Sequence, residues 1–579
     1  MLNTTHTLTH RYKILLSALL LFVIVVTTYL LSCPEWFFDG EDYGLVLRIS
    51  QCKSLRDLWD FFINGNVCNL SSFSLIKNLP TQDYTQTTTY YRPLFLVLHT
   101  LQFNAFGLES YAYFIFIIIV HALNAATIMY LLMLITSDIV LSFLCSLFFA
   151  FHQLLYGWLG KIDMQQHQIT LFLMLAAFLV WIRNRQKPQL RTYGLVCMLF
   201  LSSLLMRETF LILPLIIVLA LVIFRSNNST STAKHHCRLL TACVIITLLY
   251  ITMRTMACSQ QAFTISHPTI IITGIRQSAY AILGKFAQFL YDFFWCQWFP
   301  WSTYDFFCRH TMLTLYRVIK AIILLTVTAL FITNTQKKFI IFAIFSILAL
   351  LWPLLFTSYG GYRFAYEGLP FCALALACLI HFSSSTRNNL VRGLIYGVLV
   401  VSISINGVHV IQSMHSIMKT PCRITTTLRN FRNINGTKYQ RTPLFVFNAP
   451  SPLTATGLIQ AIHLYGIGLT RPLYFCAGLT ISTQIEAHRA CTLIDIIKTK
   501  DGLRFVSRSR ELVTFSLKPG EELLAEQKHF YIDHTIIHQQ TNDKISDIEF
   551  IFKPGYYRPD INILALFLDE ACLIELHSL

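Results

Sequence analysis

Residues Ile14 to Ser32, ILLSALLLFVIVVTTYLLS, hold no charged side chain over a length sufficient to cross a hydrocarbon layer. Inside such a layer no water satisfies backbone N–H and C=O groups. A crossing segment of this kind must therefore be an α-helix, and loops and sheet edges belong at the surfaces. The same feature recurs. Apolar runs near 14–32, 111–135, 139–155, 168–182, 192–206, 209–224, 239–256, 316–333, 339–356, 366–382 and 393–411 predict eleven membrane helices. Composition agrees, because only 13% of the 579 residues are charged and a soluble domain carries about a quarter. The first run follows Arg11 and Lys13 and lacks a clear small-x-small cleavage site, so it reads as a retained signal anchor.

Charge orients these spans. With the N-terminus in the cytoplasm, Arg183, Arg185, Lys187, Arg191, Arg225, Lys234, Arg238, Lys337, Lys338, Arg387 and Arg392 fall inside, joined by one acid, Asp138. Glu35, Asp39, Glu41, Asp42, Asp57, Asp60, Asp83, Asp163, Glu208, Asp292, Asp305 and Glu367 fall outside. The short loops thus follow the positive-inside rule, and an odd number of spans sends the C-terminus outside. The net charge of +16 could suggest a nucleic-acid partner, but its distribution does not. No Lys/Arg-rich block is interleaved with exposed aromatics, which argues against a nucleic-acid partner. The expected location is a bacterial inner membrane.

The expected organisation is a polytopic α-helical domain over 1–411, with outside loops 33–110 and 257–315, and a soluble outside domain over 412–579. Leu55 to Asn64 reads as a short helix in the first loop. Apolar positions between Ile275 and Phe293 recur at helical spacing, as in a helix lying in the interface. In the last domain PLFVFNAP, PLYFCAG, LRFVSRS, LVTFSLK and DIEFIFKPG read as strands, and LTATGLIQAIHLYG as a helix. That mixture predicts an α/β or α+β domain.

Five of the sixteen cysteines, Cys145, Cys197, Cys243, Cys372 and Cys378, sit within these runs and read as small apolar side chains. Cys52 and Cys68 share the first outside loop and could pair in an oxidising space. No paired CxxC and no HExxH occurs, so no zinc pattern is present.

Cations at the outer boundary are exceptions to the charge rule. Arg92 lies in TTTYYRPLFLVLH, Lys161 in WLGKIDMQQHQ, Arg207 in LLMRETF, Arg254 in LYITMRTM and Arg363 in SYGGYRFAYEGLP. Each alone reads as a snorkelling anchor or ion-pair partner. Together they suit a lipid phosphate, which guanidinium groups bind through paired donors. The acidic cluster Asp39, Glu41 and Asp42, just past the first span, supplies candidate carboxylates for acid–base chemistry on a hydroxyl. His121 and Asn124, at i and i+3, are expected to tie helices together. Asp57 and Asp60 read as a solvated face, and Glu208 as a local ion-pair partner of Arg207.

The order of several segments resembles the GT-C superfamily of membrane glycosyltransferases, which includes protein O-mannosyltransferases and related bacterial enzymes. Tyr91, Arg92 and Pro93 stand where that family has its YRP or WRP segment; Gly107 follows, then His121 and Asn124 as the HxxN-like pair. FFAFHQLLYGWLGKID resembles its third span and second outside loop, and LLMRETFLILPLIIVL its Arg-Glu turn. The resemblance covers roughly 14–260, and Tyr359 to Phe382 more loosely. It implies an inverting transfer of a sugar from a polyprenyl phosphate to a hydroxyl acceptor, which would be an envelope glycan, a lipid or a protein. Glu41-Asp42 matches the family's acidic pair, so Asp42 would be the base, with Asp39 its rival because Gly40 interrupts the cluster. Asp163 would be the second-loop acid that orients the acceptor or a divalent metal. The chain lacks tetratricopeptide repeats, so the mannosyltransferase acceptor is not carried over. A transporter or flippase of a lipid-linked glycan is the alternative. It explains the spans and cations but not the acidic cluster.

Overall fold

The computed structural model describes most of residues 4–64, 91–258 and 365–434, a few positions around 337–346, and strands between 444 and 576. In chain order the described helices are α1 (Thr4–Ser32), α2 (Gly40–Ser50), α3 (Leu55–Asn64), α4 (Pro93–Phe106), α5 (Ser110–Thr136) and α6 (Ile139–Ala150). They continue with α7 (Gln165–Asn184), α8 (Leu190–Met206), α9 (Leu213–Ile223), α10 (Thr230–Cys258), α11 (Ala365–His381) and α12 (Asn389–Ile434). Five of them, α1, α5, α7, α10 and α12, hold a stretch long and apolar enough to cross a membrane. The chain is a helical membrane protein. Fewer helices meet that requirement than the eleven runs predict, because α6, α8, α9 and α11 are apolar but shorter. The run near 316–333 and most of that near 339–356 lie outside the described residues. So do Cys68, the interfacial helix expected between Ile275 and Phe293, and the helix expected over 453–466.

The chain forms two compact units. One comprises Met1–Pro34, Ser54–Asn66 and Thr89–Ser416; the other comprises Glu35–Lys53, Val67–Thr88 and Ile417–Leu579. In the first unit α5 is the central helix, packing on α1, α4, α6, α7 and α11. Between Ser110 and Thr136 at its ends its buried residues are apolar except at His121 and Asn124, both fully buried. These two residues account for how four neighbours are held. Ala150 ends α6, so its carbonyl has no partner within the helix. It accepts from the Tyr29 hydroxyl at 2.7 Å and from His121 Nε2 at 3.0 Å. A carbonyl only accepts, so Nε2 carries the proton and Nδ1 a lone pair. Nδ1 must then accept from the Tyr366 hydroxyl, 2.9 Å away. The Tyr366 oxygen in turn accepts from Asn124 Nδ2 at 3.2 Å, and the same amide donates to the Gln168 carbonyl at 2.9 Å. The helix-tying role expected of His121 and Asn124 is what these bonds perform, across α1, α5, α6, α7 and α11.

Local chemistry sets the neighbouring ends. Pro93 begins α4 where its missing N–H costs nothing. Gly107 ends it at φ 57°, a conformation a side chain would strain. At the other end of α5, Asp138 caps α6 by accepting from the Leu141 N–H at 3.1 Å. The Asp138 carboxylate also pairs with Arg392 and accepts from the Tyr396 hydroxyl at 2.9 Å, which fastens α12 to the α5–α6 turn.

The second unit carries ten described strands. β1 (Leu444–Phe447) lies parallel to both β2 (Leu473–Phe475) and β9 (Ile563–Phe567), and β10 (Cys572–Leu576) runs antiparallel to β9. β4 (Ile494–Lys498), β5 (Gly502–Ser507), β8 (Lys544–Phe552) and β7 (His534–Thr541) form an antiparallel sheet in that order. β3 (Leu479–Thr483) pairs with β6 (Val513–Leu517). In β5, Leu503 and Phe505 are buried while Arg504 is exposed, the period-two pattern of a half-buried strand.

Tyr366→Phe should lower stability by about 1–3 kcal/mol, since it strands the His121 lone pair and an Asn124 donor in a dry interior. Thermal unfolding of the detergent-solubilised protein checks this. An unchanged midpoint would show that Tyr366 does not hold the helices.

Candidate functional site

The first turn of α7 reads Gln165-Gln166-His167-Gln168, and all four side chains are buried, none more than 6% exposed. Four polar residues in a row have no place in an apolar interior unless other elements answer them. Three elements do. Arg92, the residue that precedes α4, donates to Gln166 Oε1 at 2.7 Å. Arg207 follows the last residue of α8 and extends its ladder, donating its N–H to the Ser203 carbonyl at 2.9 Å. Its guanidinium lies 3.4 Å from Glu367 Oε1 and makes a hydrogen-bond contact with His167 Nδ1. Glu367 stands in the first turn of α11, and its Oε1 is 2.6 Å from His167 Nδ1.

Arg207, His167 and Glu367 are each at least 96% buried as side chains. Ionised groups are costly at such depth and in membrane proteins mark functional sites more often than they add stability. The electrostatic balance favours an anion. Arg207 and Glu367 cancel, Arg92 adds a positive charge beside them, and α7 and α11 both begin here with the positive ends of their dipoles. The amide atoms of Gln165 and Gln168 have no hydrogen-bond partner among the described residues.

Below this polar end the same helices turn apolar. On α7, Leu171, Met174 and Phe178 follow His167 at i+4, i+7 and i+11, which places them on one helix face. On α11, Pro370, Phe371 and Leu374 follow Glu367 at i+3, i+4 and i+7. On α5, Ile128, Leu131 and Ile135 follow Asn124 in the same way. All of these but Leu171 line a narrow open groove, with Leu213 and Ile216 of α9 on its wall. Met174 is seven residues beyond His167, a rise of about 10 Å. A cationic end thus surmounts an apolar groove.

The residues expected from sequence divide as follows. Arg92 and Arg207 reach consecutive side chains of α7. Lys161 and Asp163 lie half-buried in the segment that leads into α7. Arg254 is on α10, which packs on α8, α3 and α9. Arg363, Asp39 and Glu208 lie outside the described residues. Glu41 and Asp42 belong to the second unit, in α2. There Asp42 is fully buried, and its neighbour Tyr43 shares a 2.7 Å hydrogen bond with Thr425 beside Phe38. Sequence reasoning missed His167. The signal was the polar run QQHQ at the head of an apolar stretch. Among the described residues no group of three or more His, Cys, Asp or Glu could hold a metal ion.

Glu367→Ala should destabilise the protein by about 3–5 kcal/mol, because it leaves Arg207 buried without its counter-charge. The double variant Glu367→Ala/Arg207→Met should lose less than the sum of the two single changes. Chemical or thermal unfolding of all four proteins gives that coupling. Strict additivity would mean the pair does not interact.

No protein-family model matches the chain, and no curated protein matches it significantly.

Proposed function

We propose that this chain is an inverting glycosyltransferase that moves a sugar from a polyprenyl-phosphate carrier to a hydroxyl acceptor on the extracytoplasmic side of a bacterial inner membrane. The observation that carries this reading is the cationic end of α7 above an apolar groove built by the same helices. A substrate with a phosphate head and a long apolar chain satisfies both parts, and a soluble nucleotide sugar would use only the first. Arg92 and Arg207 hold the phosphate, joined by Lys161, Arg254 and Arg363, the other cations expected at the outer boundary.

The reading keeps eleven spans, the N-terminus inside and residues 412–579 outside. Asp138 and Arg392, the acid and one of the bases assigned to the cytoplasmic face, are ion-paired, which supports placing them on one side. In the reaction the acceptor hydroxyl attacks the anomeric carbon while Asp42 takes its proton. The bond to the phosphate oxygen breaks with its electron pair, and the charge gathered on the phosphate is met by the guanidinium groups. Glu41 and Asp163 assist the acceptor. Asp163 is also where a divalent ion would be held, if the reaction uses one.

Transfer from a radiolabelled polyprenyl-phosphate sugar, measured with protein in lipid nanodiscs, tests the reading. Asp42→Asn keeps the side-chain shape but removes the proton acceptor, so the rate should fall about a hundredfold or more. Normal transfer by Asp42→Asn with none by Asp39→Asn moves the base to Asp39. Full activity in both variants removes the mechanism. Topology has its own test. An impermeant thiol reagent applied to spheroplasts should label a cysteine introduced at Ser546 and spare one introduced at Gln186. The opposite pattern would put the site in the wrong compartment.

A further inference from the structure

Hydrogen bonding at the head of α7 is uneven. Gln166 accepts from Arg92 at 2.7 Å, and His167 is bonded to Glu367 at 2.6 Å. Gln165 and Gln168, on either side of them in the chain, are 0% and 1% exposed. Among the described residues neither the amide oxygen nor the amide nitrogen of either glutamine has a partner. Three residues apart, the two are neighbours on one helix face, separated by a rise of about 4.5 Å. Asn124 of α5 adds a third amide. Its nitrogen is used, donating to the Gln168 carbonyl at 2.9 Å and to Tyr366 at 3.2 Å. Its Oδ1 has no partner among the described residues.

Helical spacing ties these amides to the groove. Leu175 and Ile182 follow Gln168 at i+7 and i+14, and Ile128 and Leu131 follow Asn124 at i+4 and i+7. All four line the groove. The unpaired amides thus stand at its head. Buried polar atoms without partners are costly, so the arrangement suits a ligand that brings both donors and acceptors. An amide is neutral, donates from its nitrogen and accepts at its oxygen, and a hydroxyl answers it in both directions. A phosphate offers acceptors alone and leaves the amide oxygens unpaired. An apolar chain offers neither. Several hydroxyls on one ring meet both needs.

We infer that Gln165 and Gln168, with Asn124 Oδ1, bind hydroxyl groups of the sugar that the lipid phosphate carries. The inference rests on the lipid-phosphate reading of this site and adds to it the residues that recognise the sugar. Arg92 reaches Gln166, which lies between the two glutamines in the chain, so a sugar bonded directly to a phosphate held there is within reach of both amides. A site built to bond hydroxyls rejects a ligand that lacks them, because its own polar groups then stay unpaired.

The probes are farnesyl methyl phosphate and the glucosyl, mannosyl and arabinosyl farnesyl phosphates, which share one charge and one chain and differ in the sugar. Titration calorimetry of the full-length protein in nanodiscs gives each dissociation constant with no acceptor present. The best glycosyl diester should bind about tenfold more tightly than the methyl diester. In Gln165→Leu and Gln168→Leu that ratio should fall about three- to tenfold, the loss of one neutral hydrogen bond. A ratio unchanged in both variants overturns the inference. Without ligand, both variants should unfold at the wild-type temperature or above, since leucine removes unpaired atoms and keeps the volume. Lower midpoints would show that the protein itself uses these amides, and overturn the inference too. Equal binding of the methyl diester and all three glycosyl diesters gives the amides to water; it sinks this inference and leaves the lipid-phosphate reading standing. Binding of no diester removes both. A sugar-dependent ratio lowered by the leucine variants, with no transfer in the radiolabelled assay, sinks the transferase reading alone.

Discussion

Four polar side chains buried at the start of α7 are the constraint on which the first unit is arranged. A helix of this kind that opens with Gln165-Gln166-His167-Gln168 inside a packed interior needs donors and acceptors from its neighbours, since no solvent supplies them. The neighbours supply them from their ends. Arg92 from the start of α4 meets Gln166, and Arg207 from the end of α8 and Glu367 from the first turn of α11 meet His167. Helix ends are where a membrane protein has backbone and charge to spare, because the middle of each helix has spent its polar groups on itself. Several ends therefore converge on one place, and the apolar middles of the same helices form the groove beneath it.

Two buried networks divide the work. The chain from Ala150 through His121, Tyr366 and Asn124 to Gln168 is satisfied at nearly every position, and each proton in it is fixed by a carbonyl at one end. Such a network specifies geometry. The cluster of Arg207, His167 and Glu367 is different, because it gathers ionisable side chains in a buried place. A site that is complete has little reason to bind anything. A site with a cation beside a buried ion pair gains when an anion enters. The two networks touch at consecutive residues, Tyr366 with Glu367 and His167 with Gln168, so the rigid one positions the responsive one.

Much of the membrane part was legible in the sequence, because lipid allows few alternatives to an apolar helix. The runs at α1, α5, α7, α10 and α12 follow directly from composition, and the short helix from Leu55 to Asn64 has the expected bounds. The end of α12 was not legible. Hydropathy falls after about Val410, yet the helix continues to Ile434 through Pro421, since a helix can outlast its apolar stretch. Glu41 and Asp42 were expected in a loop with short helical pieces and lie in α2, where a run of mixed apolar and charged residues gives weak signals. Among the strands, β7 (HTIIHQQT) is too polar to stand out. For the site, Arg92 and Arg207 were visible as cations where the charge rule predicts none. His167 was hidden because its partners lie 40 and 200 positions away in the chain, and periodicity does not report pairings at that range.

The central claim is that the polar end of α7 and the apolar groove below it take one molecule, a lipid phosphate. Photo-crosslinking tests this most directly, with a polyprenyl-phosphate analogue that bears a diazirine in the first third of its chain. Mass mapping should place the adducts on groove residues such as Met174, Phe178 and Leu374, and excess unlabelled polyprenyl phosphate should remove them. Adducts spread over the exposed apolar faces of α1 and α10, unaffected by that competitor, would contradict the account.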